Sequence, residues 1–166
     1  GSVIATSTLW LAVASNSTLY HGADTAIVHI FKSDPSSSSI VRVAGLRPKS
    51  ISNNQNMKFG HSVAIGPVDA VVGAPAFNLD GKIGAGAFMS YRFRAAADVW
   101  GRHPLVTSAY DAAAADHFGH SLSLEGTYLA VANNPDSPAR QAVYVMTKNG
   151  FEFVHLHKIQ AQTRLG

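Results

Sequence analysis

Two histidines of this chain are each followed directly by a serine, a combination found in nucleophilic catalysis. His61-Ser62 recurs as His120-Ser121, 59 positions further along. An imidazole that accepts a hydroxyl proton could activate a serine as a nucleophile. Because the two pairs hold the same place in a repeated tetrapeptide, we expect them to lie in neighbouring structural units and not to converge on one site.

Two further patterns could bind a metal ion. His155 and His157 stand two positions apart on one face of a predicted strand, where they could hold a metal weakly or face solvent. Asn78-x-Asp80-Gly81 resembles half of a calcium loop, but no acidic residue stands five positions beyond Gly81 to close it. A turn stabilised by the Asn and Asp side chains is the alternative. We therefore predict no metal ion and no other cofactor.

The usual signatures of catalysis are missing from the sequence. The chain has no cysteine, which excludes thiol catalysis and thiolate metal sites. It contains neither a Gly-x-Ser-x-Gly elbow nor a Gly-x-x-x-x-Gly-Lys-Ser/Thr phosphate loop. Its acidic residues fall in different predicted turns, so no pair can be assigned to general acid–base catalysis. We therefore predict that the protein is not an enzyme.

The composition indicates a folded domain with a core and many turns. Hydrophobic residues form 46% of the 166 residues, and charged residues only 14%. The net charge of +3 is mild and its basic residues are scattered, which argues against nucleic-acid binding. No apolar run approaches the roughly 18 residues that a spanning helix needs, so we expect no membrane insertion.

A repeat of 59 residues organises the chain. The tetrapeptide Phe-Gly-His-Ser at residues 59–62 recurs at 118–121, and the apolar segment 70–75 aligns with 129–134. Residues 11–16 stand another 59 positions earlier and carry a similar apolar segment. Three segments in one register make an internal repeat, which is typical of stacked structural units.

Each unit is predicted to form four short antiparallel strands. Short apolar segments alternate with turns rich in Gly, Pro and Asn, and no helical period is present. Four-stranded units in a constant repeat favour β-propeller blades over an all-β sandwich. The predicted fold is therefore all-β, with about three blades: an incomplete one at 1–46 and full ones at 47–106 and 107–166.

Four local expectations follow from the same patterns. Residues 3–8 are predicted to be an extended lead-in, and residues 111–116 a loop in preference to a helical turn. The fourth strand of the 47–106 unit is predicted to be a broken edge strand, because its segment is polar and interrupted. In the last strand, we expect Phe153 and Leu156 to face inward.

The repeated residues resemble the FG-GAP repeats of integrin α-subunit propellers and related extracellular propellers. Residues 59–62 and 72–75 match that signature fully, whereas 132–134 replace its Gly-Ala-Pro. The resemblance implies that the Phe fills the wedge between blades, the Gly permits a crowded backbone, and the Ser bonds a neighbouring strand end. The repeat markers are Phe59, Gly60, Ser62, Gly73, Pro75, Phe118, Gly119 and Ser121.

Calcium binding does not carry over from this resemblance. Some integrin repeats hold calcium in an Asp-rich loop between their first and second strands. The corresponding connections here are residues 66–69 and 125–127, which lack the several oxygen ligands that calcium needs. The chain is thus similar to a compact subgroup of the family.

The resemblance also implies a function. It indicates a non-enzymatic module for binding, adhesion or protein assembly, at the cell surface or outside the cell. In the family, loops after strand two and before strand one share the ligand-facing surface. Phe77, an apolar residue in such a loop, is either an anchor for a partner or packed beneath the loop. The candidate partner-binding residues are Asn16, His21, Asp24, Phe77, Asn78, Asp80, Lys82, Asn134, Asp136 and Arg140.

Two alternative functions remain open at this point. Because a closed propeller needs at least four blades, the chain could be a structural subunit whose blades complete a larger propeller with further copies of itself or another protein. It could instead bind carbohydrate by stacking sugars on Trp10, Trp100 or Tyr110. Asn16-Ser17-Thr18 is one sequon for N-glycosylation, which is compatible with a secreted protein.

Overall fold

A computed structural model defines the fold as three stacked antiparallel sheets, and the all-β prediction is confirmed. Among the described residues, Ala95–Ala97 is the one helical element, a single turn of 3-10 helix. Each sheet packs against the next along the chain through a shared core, as propeller blades do. The structure describes residues 3–15, 27–34, 36–49, 56–101, 104–136 and 140–160.

Blade 1 has four strands, where the sequence predicted an extended lead-in and three strands. The lead-in is itself a strand, since Ile4 pairs with Val13 and Thr6 pairs with Leu11. Four residues are too short to show an alternating pattern, so this strand is defined by its neighbour and not by its own sequence. The strands are β1 (Val3–Thr6), β2 (Trp10–Ser15), β3 (Ile27–Asp34) and β4 (Ser39–Leu46).

Blade 2 has a fourth strand in two pieces, as the sequence predicted. Both pieces pair with the third strand, one near its end and one near its beginning. The interruption after Trp100 leaves this edge irregular, which discourages pairing with other chains. The strands are β5 (Val63–Ile65), β6 (Asp69–Ala74), β7 (Ala87–Arg94), β8 (Val99–Trp100) and β9 (Leu105–Thr107).

Blade 3 repeats the order, and residues 111–116 before it form a loop, as predicted. Phe153 is buried, but the inward placement of Leu156 was wrong, since Leu156 is 48% exposed. His155 pairs with Met146 and His157 with Val145, so Leu156 is the extra residue of a β-bulge. The strands are β10 (Ser121–Glu125), β11 (Tyr128–Ala132), β12 (Ala142–Asn149) and β13 (Glu152–Gln160).

Burial differs between the middle blade and the outer two. Every residue of β5 and β6 is buried, so blade 2 is covered on both faces. In β2 and β11, buried residues alternate with half-buried or exposed ones, so blades 1 and 3 are each covered on one face only. Two outward faces of the stack are therefore open among the described residues.

Aromatic side chains fill the junction between blades 1 and 2. The Trp10 ring lies 4.8 Å from Phe93 and 5.4 Å from Trp100, measured between ring centroids. The Trp10 indole donates a hydrogen bond of 2.9 Å to the Pro67 carbonyl. Phe59 packs edge-on against Tyr91 in the same core. Each aromatic pair adds about 1 kcal/mol beyond the burial of its area.

The junction between blades 2 and 3 combines aromatic packing with an ion pair. Phe118 is fully buried and lies 5.9 Å from Phe88 and 5.1 Å from Tyr144, between ring centroids. Beside it, Lys148 of blade 3 forms an ion pair with the buried carboxylate of Asp69 in blade 2. Phe118 thus fills the wedge between blades, as Phe59 does one junction earlier.

The glycine and serine markers bring the Phe-Gly turn of blade 3 against the end of β6. Ser62 Oγ donates a hydrogen bond of 2.7 Å to the Gly119 carbonyl. A Cβ at Gly73 would overlap that carbonyl oxygen and Ser62 Oγ. Gly119 has a φ of 86°, a conformation that other residues rarely adopt. These positions therefore need glycine for close approach, and Pro75 follows where β6 ends at Ala74.

Candidate functional site

Loops from blades 2 and 3 join into one surface at one end of the stack. The Ala115 N–H donates to the Ile83 carbonyl at 2.8 Å, and the His117 N–H to the Gly84 carbonyl at 2.9 Å. The Asp136 N–H in turn donates to the Ala115 carbonyl at 3.3 Å. We call this the loop surface; it consists of residues 75–86, 108–120, 133–136 and 140.

Phe77 does not anchor a partner, because its ring is buried in the core between blades 1 and 2. Its carbonyl accepts a hydrogen bond of 2.9 Å from the Gly86 N–H, which holds the loop over the ring. The interpretation of Phe77 as packed beneath its loop is therefore the right one. The exposed apolar residue of this loop is Ile83, 74% exposed. An isoleucine between Lys82 and Gly84 in a glycine-rich turn was the available signal for it.

The remaining candidates in this loop have separate roles. Asn78 Oδ1 accepts a hydrogen bond of 2.9 Å from the Gly84 N–H, so it shapes the turn. Asp80 and Lys82 lie exposed at the tip, where Asp80 has a φ of 48°. The turn is closed by backbone hydrogen bonds between Leu79 and Lys82. The tip is therefore a rigid structural turn that presents one carboxylate and one ammonium group.

The loop after β11 contributes exposed residues and one inward-facing cation. Asn134 and Asp136 are exposed, and Asp136 Oδ1 lies 3.8 Å from His117 Nε2. Arg140 instead forms a two-pronged ion pair with the buried Asp116, with N–O distances of 2.7 and 2.8 Å. Arg140 therefore holds the loop before β10 in place, and its guanidinium is already engaged.

A second ion pair fixes the same loop on blade 3. Asp111 accepts hydrogen bonds from Lys158 Nζ at 2.6 Å and from the Tyr144 hydroxyl at 2.9 Å. Burial alone would raise the pKa of Asp111, but these two donors outweigh it and the pKa is lowered. Burial and then the Asp111 carboxylate raise the pKa of Tyr144 to about 12. The groups are thus held in their usual ionisation states, which suits a structural role.

His61 and His120 converge, contrary to the expectation that they would not. Their ring centroids lie 4.6 Å apart, because the first strands of neighbouring blades pack side by side. Burial, then the charges of His120 and Lys58, lower the pKa of His61. Ser62 donates to a backbone carbonyl and is not bonded to either ring. His120 Nδ1 lies 3.4 Å from Ser121 Oγ, an exposed contact between adjacent residues. Ser62 therefore lacks the serine–histidine geometry of a nucleophile and its base, and the His120–Ser121 contact is long and solvent-exposed.

His155 and His157 do not share a face, contrary to the prediction. The bulge at Leu156 turns His155 inward, where its Nε2 lies 3.2 Å from the Ser108 carbonyl, and leaves His157 exposed on the other side. Two imidazoles on opposite faces cannot bind one ion. Within the described residues, no group of three or more His, Asp or Glu side chains is placed to hold a metal.

The rings proposed for sugar stacking are mostly unavailable. Trp10 and Trp100 are 2% and 6% exposed, and both lie in the junction between blades 1 and 2. Tyr110 is 66% exposed, and its ring packs edge-on against Tyr144 and His155. Only one of the three candidates therefore offers an open ring face.

Three further candidates, Asn16, His21 and Asp24, lie outside the described residues. They include the candidate glycosylation site, which stays a prediction from the sequence. Within the described part of the chain, no helix is long and apolar enough to cross a membrane.

Comparison with known protein families gives a match in the second full repeat. Residues 107–146 match the family model of the FG-GAP repeat. This segment contains the loop before β10, the markers Phe118, Gly119 and Ser121, the first two strands of blade 3 and most of the third. No curated protein matches the chain. Residues 107–146 are thus similar to an FG-GAP repeat, and the three stacked sheets have the form of β-propeller blades.

Proposed function

We propose that the chain is a non-enzymatic protein-binding module that contacts its partner through the loop surface. The observation that supports this most directly is the exposure of Ile83, 74%, on loops that backbone hydrogen bonds join across two blades. Such an apolar side chain on a rigid platform can enter a pocket of a partner at little cost in conformational entropy.

The charges around Ile83 suit a protein partner. Asp80, Lys82 and Asp136 are exposed and carry both signs, and His117 lies between the two loops. An apolar centre with a polar, solvent-accessible rim is the usual anatomy of a protein–protein interface. The loop surface thus offers an anchor and a rim of mixed charge, which favours a polar protein surface over a lipid or a nucleic acid.

The same geometry supports a role without catalysis. Two carboxylates of the loop surface, Asp111 and Asp116, form ion pairs with Lys158 and Arg140. A general acid or base needs a pKa close to the working pH, whereas the pKa of each of these groups is lowered. Extracellular or cell-surface location is part of the proposal, since FG-GAP repeats are typical of such proteins.

A binding experiment with two matched variants tests this function. The immobilised chain is used to capture partners from a panel of secreted and cell-surface proteins, and the affinity is then measured. Ile83→Asp should weaken binding at least about tenfold, because it places a charge where an apolar anchor is desolvated. Val68→Asp is the control, since Val68 is also exposed, 43%, but lies in the turn between β5 and β6.

The possible results of this experiment distinguish the loop surface from other partner sites. Loss of binding in Ile83→Asp with retention in Val68→Asp supports the loop surface. Equal binding by both variants would place the partner site elsewhere. A panel in which the wild-type chain captures nothing would contradict the proposed function.

A further inference from the structure

The outward face of blade 1 repeats a layer that is buried in the other blades. Ile4, Leu11 and Val13 lie on this face, opposite the buried Trp10 and Ala12. Their counterparts 59 positions later are Val63, Ala70 and Val72, which pack in the core shared with blade 1. The counterparts another 59 positions on, Leu122, Leu129 and Val131, pack in the core shared with blade 2.

Strand pairing extends this equivalence to the third strand. Leu11 pairs with Phe31, as Ala70 pairs with Tyr91 and Leu129 with Met146. Tyr91 and Met146 are buried against the preceding blade. Blades 2 and 3 each contact the preceding blade through an apolar layer at these positions. Blade 1 has the same layer, formed by Ile4, Leu11, Val13 and Phe31. Ile4 is 63% exposed, so the layer is open in the described structure.

The outward face of blade 3 corresponds to the faces on which blades 1 and 2 each contact the next blade. Tyr128, Ala130 and Ala132 correspond to Asp69, Val71 and Gly73 of blade 2, and Val71 packs in the core shared with blade 3. In blade 1 the same positions are Trp10, Ala12 and Ala14, which receive blade 2. On blade 3, Tyr128 is 57% exposed and Ile159 61% exposed.

The two outward faces also carry opposite charge. On blade 1, the outward positions of the described strands include Arg42, whose Nε donates a 2.9 Å hydrogen bond to His29 Nδ1, and no acidic residue. On blade 3, the outward positions of the described strands include Glu125, Glu152 and the imidazole of His157, and neither Lys nor Arg. A basic apolar face and an acidic apolar face are complementary to each other and not to themselves.

We propose that the blade 1 face of one copy docks on the blade 3 face of a second copy, and the reverse, in a head-to-tail dimer. Each new contact would reproduce the relation that already joins blades 1 and 2. With two such contacts, the six blades close a ring and both open faces are covered. This inference concerns surfaces that are separate from the loop surface and does not depend on the proposed binding function.

Mass measurement with paired charge reversals tests the proposal. Light scattering should give twice the 17.5 kDa of one chain. Arg42→Glu alone, and Glu125→Lys with Glu152→Lys, should each raise the dimer dissociation constant about tenfold or more. Mixing the two variants should restore the dimer, since each of the two contacts in the mixed pair again joins opposite charges. Lys82→Glu, a charge reversal on the loop surface, should leave the dimer intact.

Three results would overturn the head-to-tail dimer. The wild-type chain could stay monomeric at every concentration, which would leave the faces for another protein or for further blades. Only one of the two reversals could weaken the dimer, which would indicate that like faces meet. The mixed variants could fail to associate although circular dichroism shows that each is folded. That result would show that complementary charges do not hold the two faces together.

Discussion

Ser62 Oγ donates a 2.7 Å hydrogen bond to the carbonyl oxygen of Gly119, and this bond joins equivalent turns of neighbouring blades. Both residues belong to the repeated Phe-Gly-His-Ser tetrapeptide. The bond is buried, so loss of the hydroxyl leaves a carbonyl without its partner. Ser62→Ala should therefore lower the free energy of unfolding by about 1–2 kcal/mol. Chemical denaturation measures it, and an unchanged midpoint would show that this bond contributes nothing to the junction.

Gly73→Ala tests the close approach of the blades. The new methyl group would overlap the Gly119 carbonyl oxygen and Ser62 Oγ, neither of which can move freely. We expect a loss of about 3 kcal/mol in the free energy of unfolding. Gly101→Ala is the matched control, because its nearest neighbour would be the Arg92 carbonyl oxygen at 3.4 Å, an ordinary contact. Equal losses in both variants would contradict the steric explanation.

Arg140→Ala tests the ion pair that holds the loop surface. Asp116 is 1% exposed in its side chain, so removal of Arg140 leaves a buried carboxylate without its counter-charge. The expected loss is about 3 kcal/mol in the free energy of unfolding. Asp98→Asn, which removes the charge from the exposed pair with Lys32 and keeps a residue that tolerates the positive φ of 49° at this position, should cost no more than about 1 kcal/mol. A smaller loss in Arg140→Ala than in Asp98→Asn would refute the structural role.

Acidification should destabilise the fold through His61. Burial and the neighbouring charges lower the pKa of His61 below the ordinary value of 6.5, so the unfolded chain takes up protons first. Stability is therefore full above pH 6.5 and falls as the pH drops through that value. His61→Gln should reduce this pH dependence in thermal melts between about pH 8 and pH 5. A rise in thermal stability on acidification over this range would contradict the lowered pKa of His61.

The bulge in β13 predicts contrasting effects of two truncations. Phe153 is 4% exposed and packs in the core of blade 3, so Phe153→Ala should cost about 3–5 kcal/mol of stability. Leu156 is 48% exposed, and Leu156→Ala should cost less than about 1 kcal/mol. A large loss in Leu156→Ala would mean that the strand is regular and that Leu156 faces the core.

The repeat made most of the fold predictable, because equivalent residues must occupy equivalent places. The strand order followed from it, the broken edge of blade 2 followed from its polar, interrupted segment, and the packing roles of Phe59 and Phe118 followed from the FG-GAP resemblance. The strand β1 did not, since Val3–Thr6 is defined by its pairing with β2.

The site was less predictable, because it depends on contacts between blades and on local irregularities. A repeat position places His61 and His120 in neighbouring blades, but the distance between first strands sets their 4.6 Å separation. One bulged residue, Leu156, reversed the relative orientation of His155 and His157. Burial beneath a loop, as for Phe77, is likewise decided by the neighbouring blade.

The stacking of equivalent blades is the central claim, since both the loop surface and the two outward faces depend on it. Crosslinking tests it most directly, because the chain has no cysteine of its own. A chain with His61→Cys and His120→Cys, at high dilution, should be joined within itself by a short bis-maleimide. A chain with His61→Cys and His157→Cys should not, because His157 lies on the outermost strand of blade 3. Crosslinking of the control alone, or of both chains equally, would contradict the stacked arrangement.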